Sequence, residues 1–392
     1  MDEAKDGTTV RRVPLRENLL GQGLILTALA LVALGVVMVY STAAGRGRVS
    51  HWYYRRELRQ LLFAAAAVVV LLTLWRFDYR WFIGRARLWC VLLALAVVSS
   101  TLVLVKGHAV GNRLRWLRWG PVGFQPSELL KFAVLVALAA FLSRRRERLR
   151  DFRRTFLPAM ALVALACGLV VTQDFGTAVI IGLAAGVVML VAGVPWYHFW
   201  LPLVLGGIGF YAFVYRDEHR WDRMRAMVVP VTSNLPEAYQ PNQALISIAC
   251  GAEPAGLGGG VAKYGYLPED STDFIFSIVC EEMGAAGMAG LVGLLLLWLC
   301  LVRLAVMRAT DRFGALLAGG LGFLIALQAA MHIAVNVKWL PPTGIALPFV
   351  SAGGTSLLVA SAATAMVVSV TACRREEIEP PEAATPGLAG SR

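Results

Sequence analysis

Ten runs of predominantly apolar residues, most of them about 20 residues long, constrain the fold of this chain more than any other feature. A helix of that length crosses the hydrocarbon core of a bilayer and satisfies its backbone polar groups internally. The sequence therefore predicts an all-α, polytopic membrane helix bundle with about ten transmembrane helices. The predicted spans cover residues 19–41, 60–75, 86–105, 126–143, 156–172, 176–193, 197–215, 274–302, 313–336 and 343–372.

The composition excludes several classes of protein. Hydrophobic residues make up 58% of the chain and charged residues 16%, whereas soluble domains average about 45–50% and about 25%. A soluble enzyme, a disordered chain and a secreted disulfide scaffold are therefore excluded. The six cysteines form no CxxC pair, the five histidines lack metal-ligand spacing and no phosphate-binding loop is present, so we expect neither a zinc site nor direct ATP hydrolysis.

The distribution of positive charge predicts the orientation in the membrane. With a cytoplasmic N-terminus, 21 of the 37 Lys and Arg residues lie inside, 15 lie outside and Lys131 lies within a span. This bias favours both termini in the cytoplasm. Because topology explains most of the net charge of +12, we expect no nucleic-acid partner.

The predicted organisation is a cytoplasmic N-terminal segment (1–18), a transmembrane domain (19–373) and a disordered cytoplasmic tail (374–392). Residues 216–272 are predicted to form one large extracytoplasmic loop between spans seven and eight, and we interpret this loop as partly structured and functional. Residues 106–125 mix arginine with tryptophan and are predicted to lie as an amphipathic stretch in the membrane interface.

Ionisable residues at membrane helices are energetically expensive and therefore mark candidate sites. Glu128 and Lys131 open the fourth span three residues apart and share a helix face, either as an internal ion pair or as part of a substrate cavity. Asp174 separates two apolar runs, and a turn with a helix cap is the favoured interpretation there.

Asp273 stands where the large loop enters the eighth span, which itself contains Glu281 and Glu282. A carboxylate at such a boundary is either a helix N-cap or a general base with a shifted pKa. Residues 340–356 are interrupted by Pro and Gly around the start of the last span, which fits a tight packing turn and a cavity lining equally well.

Five segments, in this order, give the chain a resemblance to the SEDS family (shape, elongation, division and sporulation), the FtsW/RodA group of peptidoglycan glycosyltransferases. The resemblance runs from about residue 20 to residue 372. Its most specific motifs are FQPSELLK (124–131), QDFGTA (173–178), YQPNQALISIACG (239–251), GYLPEDSTDFIF (265–276) with EEMG (281–284), and PPTGIALPFVSAGG (341–354).

The resemblance implies an enzyme that polymerises lipid II into glycan strands at the outer face of the bacterial cytoplasmic membrane. By resemblance, Asp273 falls on the family's essential aspartate and would act as the base or orient the acceptor sugar. Direct attack on the donor sugar would invert its anomeric carbon and release undecaprenyl diphosphate, without a second carboxylate as nucleophile. The candidate substrate-binding residues are Glu128, Lys131, Arg115, Glu269, Glu282 and Ser351.

The resemblance favours the division-type FtsW branch over the elongation-type RodA branch, on Arg220, Arg223 and Met224, the GLG at 256–258, and Lys263 and Tyr266 before LPE. It implies a place at the division septum. The implied partners are lipid II, a class B penicillin-binding protein that acts as transpeptidase, other division-complex proteins and membrane lipid.

Three alternatives stay open at this stage. A lipid II flippase would use the same cavity charges without forming a covalent bond. A scaffold that only recruits a transpeptidase would need neither Lys131 nor Asp273, and an elongation-type protein would serve cell shape instead of division. No metal site and no cofactor are predicted, and a divalent cation is left open although the sequence shows no ligand set for one.

Overall fold

The computed structural model describes residues 8–43, 55–84, 86–110, 113–119, 122–233 and 235–377. Helices dominate these ranges. The α-helices are α1 (Leu19–Ala43), α2 (Arg56–Leu74), α3 (Arg80–Gly84), α4 (Ala86–Lys106), α5 (Pro126–Ser143), α6 (Leu157–Val170), α7 (Phe175–Val191), α8 (Trp200–Tyr215), α9 (Glu218–Arg225), α10 (Tyr239–Cys250), α11 (Ile275–Met307), α12 (Arg312–Asn336) and α13 (Gly354–Thr371). The strands are β1 (Thr8–Arg12), β2 (His108–Val110), β3 (Arg113–Trp119), β4 (Val122–Phe124) and β5 (Cys373–Glu377).

Each of the ten predicted spans contains one of these helices. Within the described ranges, eight helical segments are long and apolar enough to cross a membrane, whereas α7 has 17 residues and α8 has 16. The chain is therefore a multi-pass membrane protein with an all-α bundle, and the total of ten spans stays a prediction. These segments are α1, α2, most of α4, α5, the stretch Phe152–Val170 (which includes α6), α11, α12 and α13.

The bundle is built around α5 and α13. Almost every side chain of these two helices is buried, and α5 packs against α4, α7 and α12 while α13 packs against α1, α2 and α12. In contrast, α4 and α8 expose apolar side chains along most of their length. Such exposed apolar faces are typical of lipid-facing helices, because the hydrocarbon of the bilayer shields their side chains from water.

Helix α11 is broken at Gly284, where φ is +64° and ψ is −157°. A Cβ atom at this position would lie 2.9 Å from Pro254 Cγ and 3.0 Å from the Gly251 carbonyl oxygen, so only glycine fits both the backbone conformation and the close approach. The break separates the first turns of α11, which carry Glu281 and Glu282, from its longer apolar part.

The two ends of the described chain pair with each other, which differs from the prediction. Strand β1 and strand β5 form an antiparallel ladder from Thr8 with Glu377 to Arg12 with Cys373. Residues 374–377 were predicted to belong to a disordered tail, but they pair because α1 and α13 bring the chain ends side by side and the ladder satisfies both backbones. The rest of the predicted tail lies outside the described residues.

Residues 106–125 contain the three-stranded antiparallel sheet β2–β3–β4, and their place in the membrane interface stays a prediction. One predicted boundary is wrong. The last span begins at Gly354 and not at residue 343. Pro341, Pro342 and Pro348 remove backbone donors, so residues 341–353 run without helix.

Candidate functional site

The irregular segment 341–353 packs against the loop that precedes α11. The Ala352 backbone N–H donates to the Ser271 carbonyl at 2.8 Å. The Ser351 hydroxyl donates to the Thr272 carbonyl at 2.6 Å and accepts from the Leu347 N–H at 2.8 Å. Ser351, a predicted substrate-binding residue, is thus buried and has its hydroxyl engaged in joining the two segments.

Asp273 is held by its backbone and not by its carboxylate. Its carbonyl oxygen accepts a hydrogen bond from Asn336 Nδ2 at 3.1 Å, and Asn336 Oδ1 accepts from both the N–H and the hydroxyl of Ser277. The N-cap of α11 is Phe274, without a side-chain cap. The N-cap alternative for Asp273 is therefore not realised, and within the described ranges no donor bonds to its carboxylate.

Arg115 approaches this carboxylate from strand β3. Its Nε donates to the Gln173 carbonyl at 2.8 Å, and its Nη1 lies 3.8 Å from Asp174 Oδ2. Asp174 also accepts from the Thr177 N–H at 3.1 Å as the N-cap of α7, which confirms the predicted cap. The three predicted polar positions at 115, 174 and 273 thus meet at one place.

Gly344 lies between the basic and the acidic group. Its φ of +75° is a conformation that favours glycine. A Cβ atom built there would lie 3.0 Å from Arg115 Nη1 and 3.6 Å from Asp273 Oδ2. The gap between guanidinium and carboxylate is therefore bounded by bare backbone, which leaves room for a polar ligand.

The surroundings of Asp273 shift its acidity. Removal from water raises its pKa to about 7, with repulsion from Glu269 as the next cause, and attraction to Arg115 and Arg223 only partly offsets these effects. A carboxyl group with a pKa near neutrality is matched to proton abstraction at physiological pH. The structure thus excludes the N-cap alternative for Asp273, and its role as a general base stays a prediction.

A cavity of about 80 Å³ opens beside Arg115. Arg220 and Arg223 from α9 line it together with Arg115, and Phe175, Phe210 and Pro341 supply apolar walls. Arg223 Nη1 donates to the Pro342 carbonyl at 3.4 Å. Burial, with repulsion from Arg115 as the next cause, lowers the pKa of Arg223. Three guanidinium groups on one wall form a site suited to a multiply charged oxyanion such as a diphosphate.

A second arginine group lies beside the same loop. Arg56 Nη1 is 3.2 Å from the Ser271 hydroxyl and 3.6 Å from Glu269 Oε2. Arg59 lies within electrostatic range of Arg56 and of Arg118. Side chains three residues apart on a strand point to opposite faces of the sheet. Strand β3 therefore places Arg115 in the first arginine group and Arg118 in the second. Glu269, a predicted substrate-binding residue, belongs to the second group.

The predicted pair Glu128–Lys131 is present and buried. Lys131 Nζ lies 2.8 Å from Glu128 Oε1 and 2.9 Å from Gln328 Oε1. Gln328 Nε2 in turn donates to the Ala346 carbonyl at 2.9 Å. The pair therefore lies under the segment 341–353 and supports it through α12, and the ammonium group is engaged by protein atoms.

Glu282 is placed in a separate cluster. Its carboxylate accepts from Lys263 Nζ at 2.9 Å, from the Ser41 hydroxyl at 2.6 Å and from the Gly258 N–H at 3.1 Å. The Lys263 and Glu282 side chains are completely buried. This cluster ties α1, α11 and the large loop together, and the structure does not bring Glu282 to the Arg115 cavity.

Sequence reasoning missed Asn336, Gly344 and His332 as parts of the site. His332 Nδ1 lies 2.8 Å from the Ile345 carbonyl, and its Nε2 is buried without a hydrogen-bond partner among the described residues. The sequence did contain a signal for His332 and Asn336. Placing a polar side chain within a membrane span costs free energy, so such residues mark structural or functional positions. No such signal distinguished Gly344 from the other glycines.

The described residues hold no group of three or more His, Cys, Asp or Glu side chains that could bind a metal ion. The carboxylates of Asp174 and Glu269 are each paired with an arginine, Arg115 and Arg56 respectively. The described residues therefore do not form a divalent-cation site by themselves.

Comparison with known proteins assigns this chain to a family. The model of the cell cycle protein family FtsW/RodA/SpoVE matches residues 22–376. A relative from Nitrosomonas europaea, named probable peptidoglycan glycosyltransferase FtsW, is 32% identical over 359 residues, covering 88% of this chain and 91% of the relative. Stage V sporulation protein E of Bacillus subtilis is 33% identical over 358 residues, covering 88% of this chain and 95% of the relative.

Solved structures agree with this assignment. A chain from a peptidoglycan synthase complex, described as coordinating polymerization and crosslinking, superposes with a TM-score of 0.72 at 26% identity, covering 89% of this chain and 97% of that chain. The rod shape determining protein RodA of Thermus thermophilus superposes with a TM-score of 0.64 at 26% identity, covering 89% of this chain and 95% of RodA. The chain belongs to the FtsW/RodA/SpoVE family of cell cycle proteins, the SEDS family.

Proposed function

We propose that this protein is a peptidoglycan glycosyltransferase that polymerises lipid II into glycan strands at the outer face of the cytoplasmic membrane during cell division. The relatives named FtsW support the activity and the division role. The observation that carries the proposal is the Asp273 carboxyl, which accepts no hydrogen bond in the described structure, has a pKa of about 7 and faces Arg115 across Gly344.

The reaction is a single displacement. Asp273 takes the proton from an acceptor sugar hydroxyl, whose oxygen forms a bond to the anomeric carbon of the donor. The bond between that carbon and the diphosphate oxygen breaks with inversion, and undecaprenyl diphosphate leaves. The leaving diphosphate oxygen takes the electron pair of the broken bond. Arg115, Arg220 and Arg223 stabilise the negative charge that develops there.

The other predicted site residues then mainly hold the reactive segments in place. Glu128 and Lys131 support the segment that carries Gly344, Ser351 joins that segment to the Asp273 loop, and Glu282 anchors the large loop. Glu269 with Arg56 adjoins the second arginine group, which offers charge for the lipid-linked acceptor.

The cellular setting follows from the same assignment. We place both termini in the cytoplasm and the Asp273 site outside, at the division septum. A class B penicillin-binding protein and other division-complex proteins are the partners, and membrane lipid surrounds the bundle. The similarity to a chain of a peptidoglycan synthase complex supports a transpeptidase partner.

The test is polymerisation of purified lipid II by the full-length protein in detergent, with and without its cognate transpeptidase. Asp273→Asn should reduce the polymerisation rate at least about a hundredfold, as loss of a general base does. Glu253→Gln is the matched control, because this carboxylate belongs to the same loop and is exposed.

Equal rates for Asp273→Asn and Glu253→Gln would remove Asp273 from the mechanism. If the unmodified protein transports lipid II across vesicle membranes but makes no polymer, the protein is a flippase and the proposal is wrong. Unchanged crosslinking by the partner after loss of both Lys131 and Asp273 would replace it by a scaffold.

A further inference from the structure

The loop between α5 and α6 carries an unusual concentration of arginine. Residues 143–155 read SRRRERLRDFRRT, with seven arginines, two acidic residues and no lysine. Positive charge at a loop is the ordinary signature of membrane topology. Topology alone requires positive charge, however, and not a defined shape.

The loop has a defined shape. Leu149 and Thr155 are buried, and the Thr155 hydroxyl donates to the Arg148 carbonyl at 2.7 Å. Asp151 caps the following helical turn through the Arg154 N–H at 3.0 Å. The loop is therefore a folded platform and holds its side chains in a fixed arrangement.

An open, solvent-exposed depression of about 840 Å³ lies against this platform. We call it the arginine pocket, and its lining residues are Arg144, Arg145, Arg146, Glu147, Arg148, Arg154 and Pro158. Arg144 donates to the Ile83 carbonyl and Arg145 donates to the Arg154 carbonyl. The Arg145 guanidinium also lies 4.3 Å from the centre of the Phe141 ring.

The charge of the arginine pocket is only partly compensated, because five lining arginines face one lining carboxylate, that of Glu147. In the part of the loop that the structure describes, Asp151–Arg154 at 3.8 Å is the only ion pair. Arg312 at the start of α12 adds a further guanidinium within electrostatic range of Arg146. Like charges gathered in this way destabilise one another unless an anion occupies the space between them.

The pocket lies where a membrane meets water. It is bounded by the end of α5 and the start of α6, and the exposed apolar side chains of Phe152 and Leu157 stand next to its rim. It is at the opposite end of the bundle from Asp273, on the face that carries strands β1 and β5. A ligand there can contact guanidinium groups with its charged part and apolar side chains with the rest.

We propose that the arginine pocket binds the phosphodiester headgroup of an anionic membrane lipid, with a two-phosphate lipid such as cardiolipin as the best match. Guanidinium groups recognise phosphate oxygens with paired hydrogen bonds, and basic pockets between membrane helices bind anionic headgroups. The exposed apolar rim favours a lipid over a soluble phosphate. The site is independent of the polymerisation chemistry.

The experiment measures lipid retention by native mass spectrometry on the full-length protein released from phosphatidylcholine nanodiscs, with and without added cardiolipin. The variant is Arg146→Gln with Arg148→Gln, two pocket arginines whose side chains make no described hydrogen bond to the protein. The matched control is Arg150→Gln with Arg153→Gln, which removes the same charge from the same loop outside the pocket lining.

The pocket variant should retain cardiolipin roughly tenfold less than the control variant, since two phosphate-binding guanidinium groups are lost. Arg146→Lys with Arg148→Lys should recover only part of the binding because lysine cannot form the paired contacts. Equal losses in the pocket and control variants would show that only general surface charge matters and would overturn the proposal. Displacement of the lipid by inorganic pyrophosphate would overturn it in favour of a soluble ligand.

Discussion

Two clusters of acid and base in this protein use the same residue types in opposite ways. Around Glu282, the carboxylate receives bonds from Lys263, Ser41 and a backbone N–H, and the cluster is sealed from water. Around Asp273, the carboxylate receives no bond within the described structure, and the nearest guanidinium is bonded elsewhere, to the Gln173 carbonyl. A saturated cluster holds helices together, whereas an unsaturated one keeps its reactivity for a ligand.

Breaking the saturated cluster should have the largest effect on stability. Lys263→Met leaves the Glu282 carboxylate buried without its cation, and we expect a loss of about 3–5 kcal/mol in the free energy of unfolding. Thermal denaturation of the detergent-solubilised protein measures this loss. Glu269→Gln, which breaks the half-exposed pair with Arg56, should change stability by less than about 1 kcal/mol. Similar values for the two variants would mean that burial does not distinguish the pairs.

The pH dependence of polymerisation tests the unsaturated cluster. A general base with a pKa of about 7 must be deprotonated to act. The rate should therefore reach a plateau above pH 8 and fall about tenfold for each pH unit below 7, so that pH 5 retains about a hundredth of the plateau. A rate that stays level from pH 8 down to pH 5 would contradict the assignment.

The same shift predicts that the reactive carboxyl destabilises the fold. The pKa of Asp273 is raised above its ordinary value of 3.8, so the folded state binds the proton more tightly than the unfolded state, and stability falls as pH rises from about 4 to about 7. Asp273→Asn removes this penalty and should stabilise the protein by up to about 4 kcal/mol at pH 8, but hardly at all at pH 4. Melting curves at the two pH values provide the measurement, and destabilisation at pH 8 would refute it.

A smaller effect should come from narrowing the gap between the Arg115 guanidinium and the Asp273 carboxylate. Gly344→Ala introduces a Cβ atom 3.0 Å from Arg115 Nη1 at a positive φ, and should destabilise the protein by about 1 kcal/mol and reduce polymerisation about tenfold. Gly353→Ala is the control in the same segment, because its Cβ atom would meet neighbours only at 3.4 Å and its φ is −129°. Equal rates for the two variants would show that the gap does not admit substrate.

Local patterns explain which features could be predicted from the sequence. The apolar runs located the helices, the spacing of three between Glu128 and Lys131 predicted their ion pair, and the position of Asp174 before an apolar run predicted its cap. All of these depend on residues within one or two helical turns.

The features that could not be predicted depend on distant parts of the chain. Glu282 looked like a cavity residue because its partners, Ser41 and Lys263, come from another helix and from the large loop. The prolines explain the late start of α13, but they do not reveal that segment 341–353 packs on the Ser271 and Thr272 carbonyls. Sequence spacing contains no information about such contacts.

The ladder between β1 and β5 gives the described chain nearly coincident ends, since Thr8 pairs with Glu377. A short linker between these two positions would convert the protein into a ring without moving a helix. The ring could then be reopened at an exposed turn, which would yield circular permutants of a membrane enzyme with new attachment points for probes. In these permutants the order of helix insertion into the bilayer would change while the final bundle stays the same, so the assembly route could be separated from the assembled structure.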